Sequence, residues 1–296
     1  MNNRGALVSV RCHLWYLNLL RQHLSHANFA HVRSSCFGPL LEIINFEFQG
    51  QLYNVMCRRL QSGCVKKMVL QFRIGNHVVE FGPADFAIMT GLRFNGNTNL
   101  PESSTFHQTV FSGQRFLHLI TIENRFLKEC KQTGGSSETS LKLGYLYIVY
   151  GLLVLKDRTR KNIDLGYIHL IDNLDRFLCY PWGRIAYDFM VPRTYNARKL
   201  LEKMETKENK LTVEAYGFVH VLQAWAYEIM PSLAAFCGKR VVEHENRLPR
   251  MQRWSADSGF LFEDLWPYFL PRVGNDMVCC ILNIFTFELI YNIYAS

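Results

Sequence analysis

The chain has 296 residues, of which 49% are hydrophobic and 20% charged, and its net charge is +8. Those proportions exclude a disordered polyelectrolyte, and the length admits one large core or two modest ones. The positive charge suits nucleic acid, acidic protein or anionic lipid and does not choose among them.

Residues 1–36 read as a basic extension. Arg4, Arg11, Arg21 and Arg33 are present, and no Asp or Glu precedes Glu42. An acid-free, Arg-bearing start fits an organelle transit segment and lacks the apolar run of a secretory signal. The spacing of Leu14, Leu17, Leu20 and Leu24 predicts instead a basic amphipathic helix packed on the domain. Two short helices are expected over 39–48 and 51–60. The period then changes to two, with Leu70, Phe72 and Ile74 on one side and Gln71 and Arg73 on the other. Gly75-Asn76 at the centre makes residues 69–81 a β-hairpin. Pro83 opens a helix and Gly91 closes it.

Residues 95–104 are a polar loop, and 111–130 are expected to be helical. Thr133 to Ser140 is a flexible stretch, read as a loop near 133–140 and not a domain boundary. Leu141 to Leu155 is apolar nearly all round, as in a central buried helix, and is short for a membrane span. A charged turn follows at 156–161. Asp164 is expected to cap a helix running to about Cys179. The segment 184–204 reads as helix with Pro192 breaking or kinking it. Thr212 is expected to cap another helix, with Glu214 in its first turn and Pro231 at its end. Leu261 to Phe269 is a last amphipathic piece. The apolar tail, 273–296, is readable as a docked segment, a membrane anchor opposed by Glu288, or translated non-coding sequence. The expected architecture is mainly α (α+β): one helical, bundle-like domain over 37–272 with a small hairpin.

Five segments in order carry a family resemblance. They are Phe37-Gly38, the hairpin ending at Phe81 with Phe86, Thr90, Gly91 and Leu92, then Tyr180-Pro181-Trp182-Gly183-Arg184, then Gly217-Phe218 with Trp225 and Glu228, then Pro249-Arg250 with Trp254. Together they resemble a plant-specific domain of unknown function. In that family the domain often stands upstream of a ubiquitin-like (SUMO) protease domain in proteins of Mutator-like transposable elements. A plant mobile domain, sometimes labelled aminotransferase-like, is a more distant likeness. The resemblance implies a nuclear protein. The protease's Asp-Cys-Gly stretch is missing, since Cys237-Gly238 follows Phe236, so no protease activity carries over.

The chemistry-bearing residues point the same way. Nine scattered cysteines with no Cys-x-x-Cys pair read as reduced thiols. No His-Glu-x-x-His, phosphate-binding glycine loop or cofactor lysine signature occurs, so neither metal nor cofactor is expected. Cys179, beside Arg184, is the one candidate nucleophile, with His169 too far along its predicted helix to serve as base. Asp172, Asp175 and Glu228 read as structural ion-pair partners of Arg176 and Arg184. Arg58, Arg59, Lys66, Lys67, Arg250 and Arg253 are candidate DNA contacts. The leading expectation is a non-enzymatic protein-interaction or scaffold module. Weakly specific DNA binding is second and a thiol enzyme third.

Overall fold

The computed structural model describes residues 6–61, 68–204, 212–244 and 248–271. It begins with β1 (Leu7–Val10), α1 (Tyr16–His23), α2 (His26–Arg33), α3 (Gly38–Leu41) and α4 (Gly50–Arg59). A hairpin, β2 (Leu70–Ile74) and β3 (His77–Phe81), feeds α5 (Pro83–Thr90) and α6 (Thr105–Phe111). α7 (Leu119–Thr133) packs on α8 (Glu138–Ile148), which runs on as a π-helical turn over Val149–Leu153. Then come α9 (Leu165–Leu170), α10 (Leu174–Leu178) and the long α11 (Trp182–Met204). β4 (Thr212–Ala215), α12 (His220–Ile229), α13 (Pro231–Cys237), β5 (Lys239–Arg240), β6 (Trp254–Ser255) and α14 (Phe262–Leu265) complete it. The protein is mainly α, and the sheets among the described residues are two-stranded.

The hairpin follows its sequence pattern. Leu70, Phe72 and Ile74 are buried while Arg73 faces out, and Leu70 pairs with Phe81 across the ladder. α5 starts at Pro83, with Asp85 Oδ2 accepting from Gly82 N at 2.8 Å. Burial raises the Asp85 carboxyl to about 6. Gly91 ends the helix at φ +70°, a left-handed conformation that favours glycine. Behind it, α8 is buried on every side from Leu143 onward, as its apolar composition there requires.

Several expectations are corrected. The basic helix expected at Leu14, Leu17, Leu20 and Leu24 does pack on the domain, since Leu17, Leu20 and Leu24 enter the same core as Phe37, but other segments differ. The turn from Gly134 to Ser137 is a pinned corner, where Asn28 Nδ2 donates to Gly135 O at 2.8 Å and Ser137 O at 3.0 Å. The helix expected over 39–48 stops at Leu41. Asn45 has φ 46°, and Ala256 N donates to its carbonyl at 3.0 Å. The helix expected over 111–130 is split, with Ser112 and Gly113 both at positive φ. Asp164 does cap a helix, accepting from Gly166 N at 3.0 Å, but Asn173 caps a second one before Cys179.

Thr212–Ala215 is a strand and not a helix start. It pairs in parallel with β1, burying Val213 and Ala215. Its partner comes from the other end of the chain, so no local pattern announces it. α11 runs unbroken through Pro192. Arg193 Nη1 donates to Phe189 O at 2.6 Å and Thr194 Oγ1 to Met190 O at 3.2 Å, supplying carbonyls near the missing proline N–H. The tail expected at 273–296 lies outside the described residues. No helix among the described residues is long and apolar enough to cross a membrane.

His220 sits fully buried against Phe46, Phe48 and Phe218, and its Nδ1 has no hydrogen-bond partner among the described residues. Burial, with His13 nearby, pushes its pKa down to about 3. Below about pH 6.5 the unfolded chain takes up a proton that the folded chain refuses. Stability held by the neutral ring is therefore complete above that pH and is lost on acidification. Comparing urea unfolding at pH 7 and pH 5, His220→Phe should gain about 2 kcal/mol on the parent. Asp85, whose raised pKa acts in the opposite direction, is common to both chains and cancels. Parallel pH profiles for variant and parent would contradict this.

Candidate functional site

The motif residues meet in the core. The Phe81 ring lies 5.2 Å from Trp225 and 6.2 Å from Tyr187, and Phe86 joins them at 5.7 Å from Tyr187. Thr90 Oγ1 donates to Phe86 O at 2.7 Å and accepts from Leu92 N at 3.2 Å, closing the turn after α5. Leu92 and Phe218 are buried, and Gly217 turns at φ +76° against α11. These are framework roles.

The Tyr180–Arg184 segment makes the α10–α11 corner. Tyr180 OH donates to Thr98 O at 3.0 Å, and Trp182 Nε1 donates to Phe177 O at 2.7 Å. Pro181 is buried, and its ring backs onto Gly96. Gly183 N donates to Arg93 O at 2.8 Å. A Cβ there would sit 2.6 Å from Leu92 O and 2.8 Å from Arg93 O. Gly183→Ala should therefore cost about 3 kcal/mol by overpacking against backbone that cannot move aside. An unchanged urea midpoint would disprove the close approach. Arg184 points outward and pairs with Asp188 at 3.7 Å, not with Cys179.

Glu228 binds two motif residues at once. Its Oε1 accepts from Trp254 Nε1 at 2.7 Å, and its Oε2 lies 3.5 Å from Arg250 Nη1. Only 12% of the Arg250 side chain and 9% of Glu228 are exposed. Arg250, expected among the DNA contacts, is thus turned inward as the counter-ion of Glu228, with Pro249 packed on Gly91 ahead of it. Asp172 and Asp175 do not pair with Arg184. The Asp172 carboxylate instead caps α6 by accepting from Thr105 N at 2.7 Å and Phe106 N at 2.9 Å.

Two of the concavities among the described residues are lined by several charged side chains. The first is a cleft of about 290 Å³ with an apolar floor of Val154, Ile185 and Phe189 and a charged rim including Lys161, Asp164, Asp188 and Arg193. The π-helical turn contributes Tyr150, whose hydroxyl donates to Asp164 O. Such turns recur at binding sites. Arg193 lies 3.4 Å over the Phe189 ring, and burial lowers its pKa. The rim loop is held from below, where Glu123 accepts from Tyr147 OH at 2.8 Å and pairs with Arg158.

The second is a polar pocket of about 340 Å³ lined by Arg58, Arg59, Arg73 and Arg198. Of the expected DNA contacts it unites Arg58 and Arg59. Arg253 lies apart, in the turn before β6, while Lys66 and Lys67 fall outside the described residues. Arg73 and Arg198 were not singled out by the sequence. Arg73 is one outward residue of a strand, and Arg198 comes from a helix distant in the chain.

Cys179 and His169 are not brought together as a thiol–base pair. The thiol is exposed, but His169 Nδ1 lies 3.1 Å from Pro101 O and its Nε2 3.2 Å from His107 Nδ1. Burial pushes the thiols of Cys12, Cys36, Cys57 and Cys237 up to about 12. They stay protonated at neutral pH. Among the described residues no group of three or more His, Cys, Asp or Glu is placed to hold a metal ion.

Residues 57–193 match the family model described as Domain of unknown function (DUF1985). The matched segment begins in α4 and ends in α11, so it takes in the hairpin, α5, the Tyr180–Arg184 corner and the whole cleft. The Glu228–Arg250–Trp254 cluster lies beyond it. Nothing among the curated proteins or the solved structures matches the chain.

Proposed function

We propose that the chain is a non-enzymatic interaction module that holds a short segment of a partner protein in the cleft between the π-helical turn and α11. The observation that carries this reading is the cleft's composition. An apolar floor offers area for one or two buried side chains, while Lys161, Asp164, Asp188 and Arg193 on the rim supply both signs of charge for orientation. The pocket lies wholly within the matched segment, which ties it to the family and not to the ends of this chain.

The test is a displayed-peptide selection against the full chain, with Ile185→Trp, a half-exposed floor position, as the filled cleft. Enrichment of peptides that bind the parent at least about tenfold better than the variant is expected, equal to about 1.4 kcal/mol. Peptides that bind both equally would place recognition elsewhere and refute the reading. The wider setting belongs to the same proposal. On the resemblance, the chain is read as a domain of a plant, Mutator-like transposon-derived protein that acts in the nucleus. A fluorescent fusion excluded from nuclei would remove that part.

Weakly specific DNA binding is the weaker reading. Arg250 is committed to Glu228, Arg253 lies apart, and Arg58 and Arg59 form a compact cluster where a duplex needs a track. Anisotropy of labelled duplex and single-stranded DNA at low and physiological salt is expected to show no steep salt dependence. Micromolar binding that collapses with salt would restore the DNA reading.

A further inference from the structure

The arginine pocket goes beyond the cleft reading and does not rest on it. Four guanidinium side chains from α4, β2 and α11 line one small cavity. Like charges gathered this closely set up a positive field that favours an anion in the cavity. The arrangement is also held in place. Arg58 Nε donates to Asn54 Oδ1 at 2.9 Å and Arg59 Nε donates to Arg73 O at 2.8 Å. The Arg58 guanidinium lies 5.6 Å from the Phe262 ring centre and that of Arg59 5.5 Å from Trp266. These contacts fix the forks in advance, so little side-chain freedom remains to be lost on binding.

Arg198 is held in place as well. Its Nη2 donates to Glu202 Oε1 at 2.6 Å, and Glu202 is half-exposed. Its Nε, however, is buried with no hydrogen-bond partner among the described residues. Burial and the neighbouring Arg73 also lower the Arg59 pKa, as expected of crowded cations.

We propose that Arg58, Arg59, Arg73 and Arg198 form a binding site for a compact phosphomonoester dianion. The shape decides against the backbone of a nucleic acid. Backbone phosphates come singly charged and in a row, whereas this site concentrates several forks on one spot, as suits a terminal phosphate with its extra charge and three acceptor oxygens.

The experiment is isothermal titration of the full chain with inorganic phosphate at constant ionic strength, with sulfate as a second probe. Arg73→Gln removes an exposed fork without touching the core, and Lys128→Gln removes an equal charge from the exposed face of α7. Phosphate should bind, and Arg73→Gln should weaken it about tenfold, as one charged hydrogen-bonding group implies. Lys128→Gln should leave it unchanged. Phosphate affinity should rise between pH 5.5 and 7.5 as the dianion forms, while sulfate, already a dianion, should bind equally throughout. A phosphoserine peptide and a 5′-phosphorylated oligonucleotide distinguish the sources, each against its unphosphorylated form. Equal effects of the two substitutions, or no advantage of phosphate over chloride, would overturn the site. An oligonucleotide with a 5′-hydroxyl binding as tightly as its phosphorylated form would overturn the phosphomonoester assignment in favour of backbone tracking.

Discussion

Glu228→Ala is expected to destabilise the chain by about 3–5 kcal/mol, read as a lower urea midpoint at an unchanged denaturant slope. The loss has two parts. The Arg250 guanidinium, only 12% exposed, would remain in place without a counter-ion, and its Nε already has no partner among the described residues. The Trp254 indole N–H would lose its acceptor at 2.7 Å. An unmade bond of that kind costs about 1–3 kcal/mol by itself. The paired change Glu228→Leu with Arg250→Met should recover the ionic part, because apolar groups of similar size replace a buried ion pair at little net cost. It should not recover the indole part. A single-variant loss below about 1 kcal/mol is the value typical of solvent-screened pairs. It would mean that the geometry overstates how closed the cluster is.

That cluster shows where sequence reading ends. Glu228, Arg250 and Trp254 were legible as marked residues, yet Arg250 stands in a run with Arg253 that looks like a basic surface. Nothing local says that one arginine turns in. The reversal comes from α12, which brings Glu228 up from another part of the chain. The same division holds for the elements. The hairpin and α5 were legible because period-two alternation, a Gly-Asn turn and a Pro–Gly pair of helix signals all act within a few residues. The strand at Thr212–Ala215 was not, because its ladder partner is Leu7–Val10. The cleft was invisible for a related reason. Tyr150, Asp164 and Phe189 are unremarkable singly and become a site only where the π-helical turn meets α11. In the arginine pocket the sequence supplied Arg58 and Arg59, and the fold added Arg73 and Arg198.

Trp182 is expected to support both the cleft and the arginine pocket, because it anchors the start of α11. It is fully buried at the start of α11, with ring centres of Phe177 at 4.8 Å, Tyr180 at 4.9 Å, Tyr167 at 5.2 Å and Phe37 at 6.0 Å. Trp182→Ala should cost about 3–5 kcal/mol, from lost transfer energy and from the cavity left among rings that cannot collapse together. Trp182→Phe keeps most of the packing but leaves Phe177 O without its donor, and should cost about 1–3 kcal/mol. The milder variant separates a local from a global role. α11 carries Ile185, Phe189 and Arg193 into the cleft and Arg198 into the arginine pocket, so its entry angle sets both. If Trp182 fixes that entry, amide exchange in Trp182→Phe should accelerate along the first turns of α11 and in α10, while the α7–α8 pair keeps its protection. Uniform acceleration through α7 and α8 would show a general loss of core stability instead. The wedge at the α10–α11 corner would then have no special part in shaping either site.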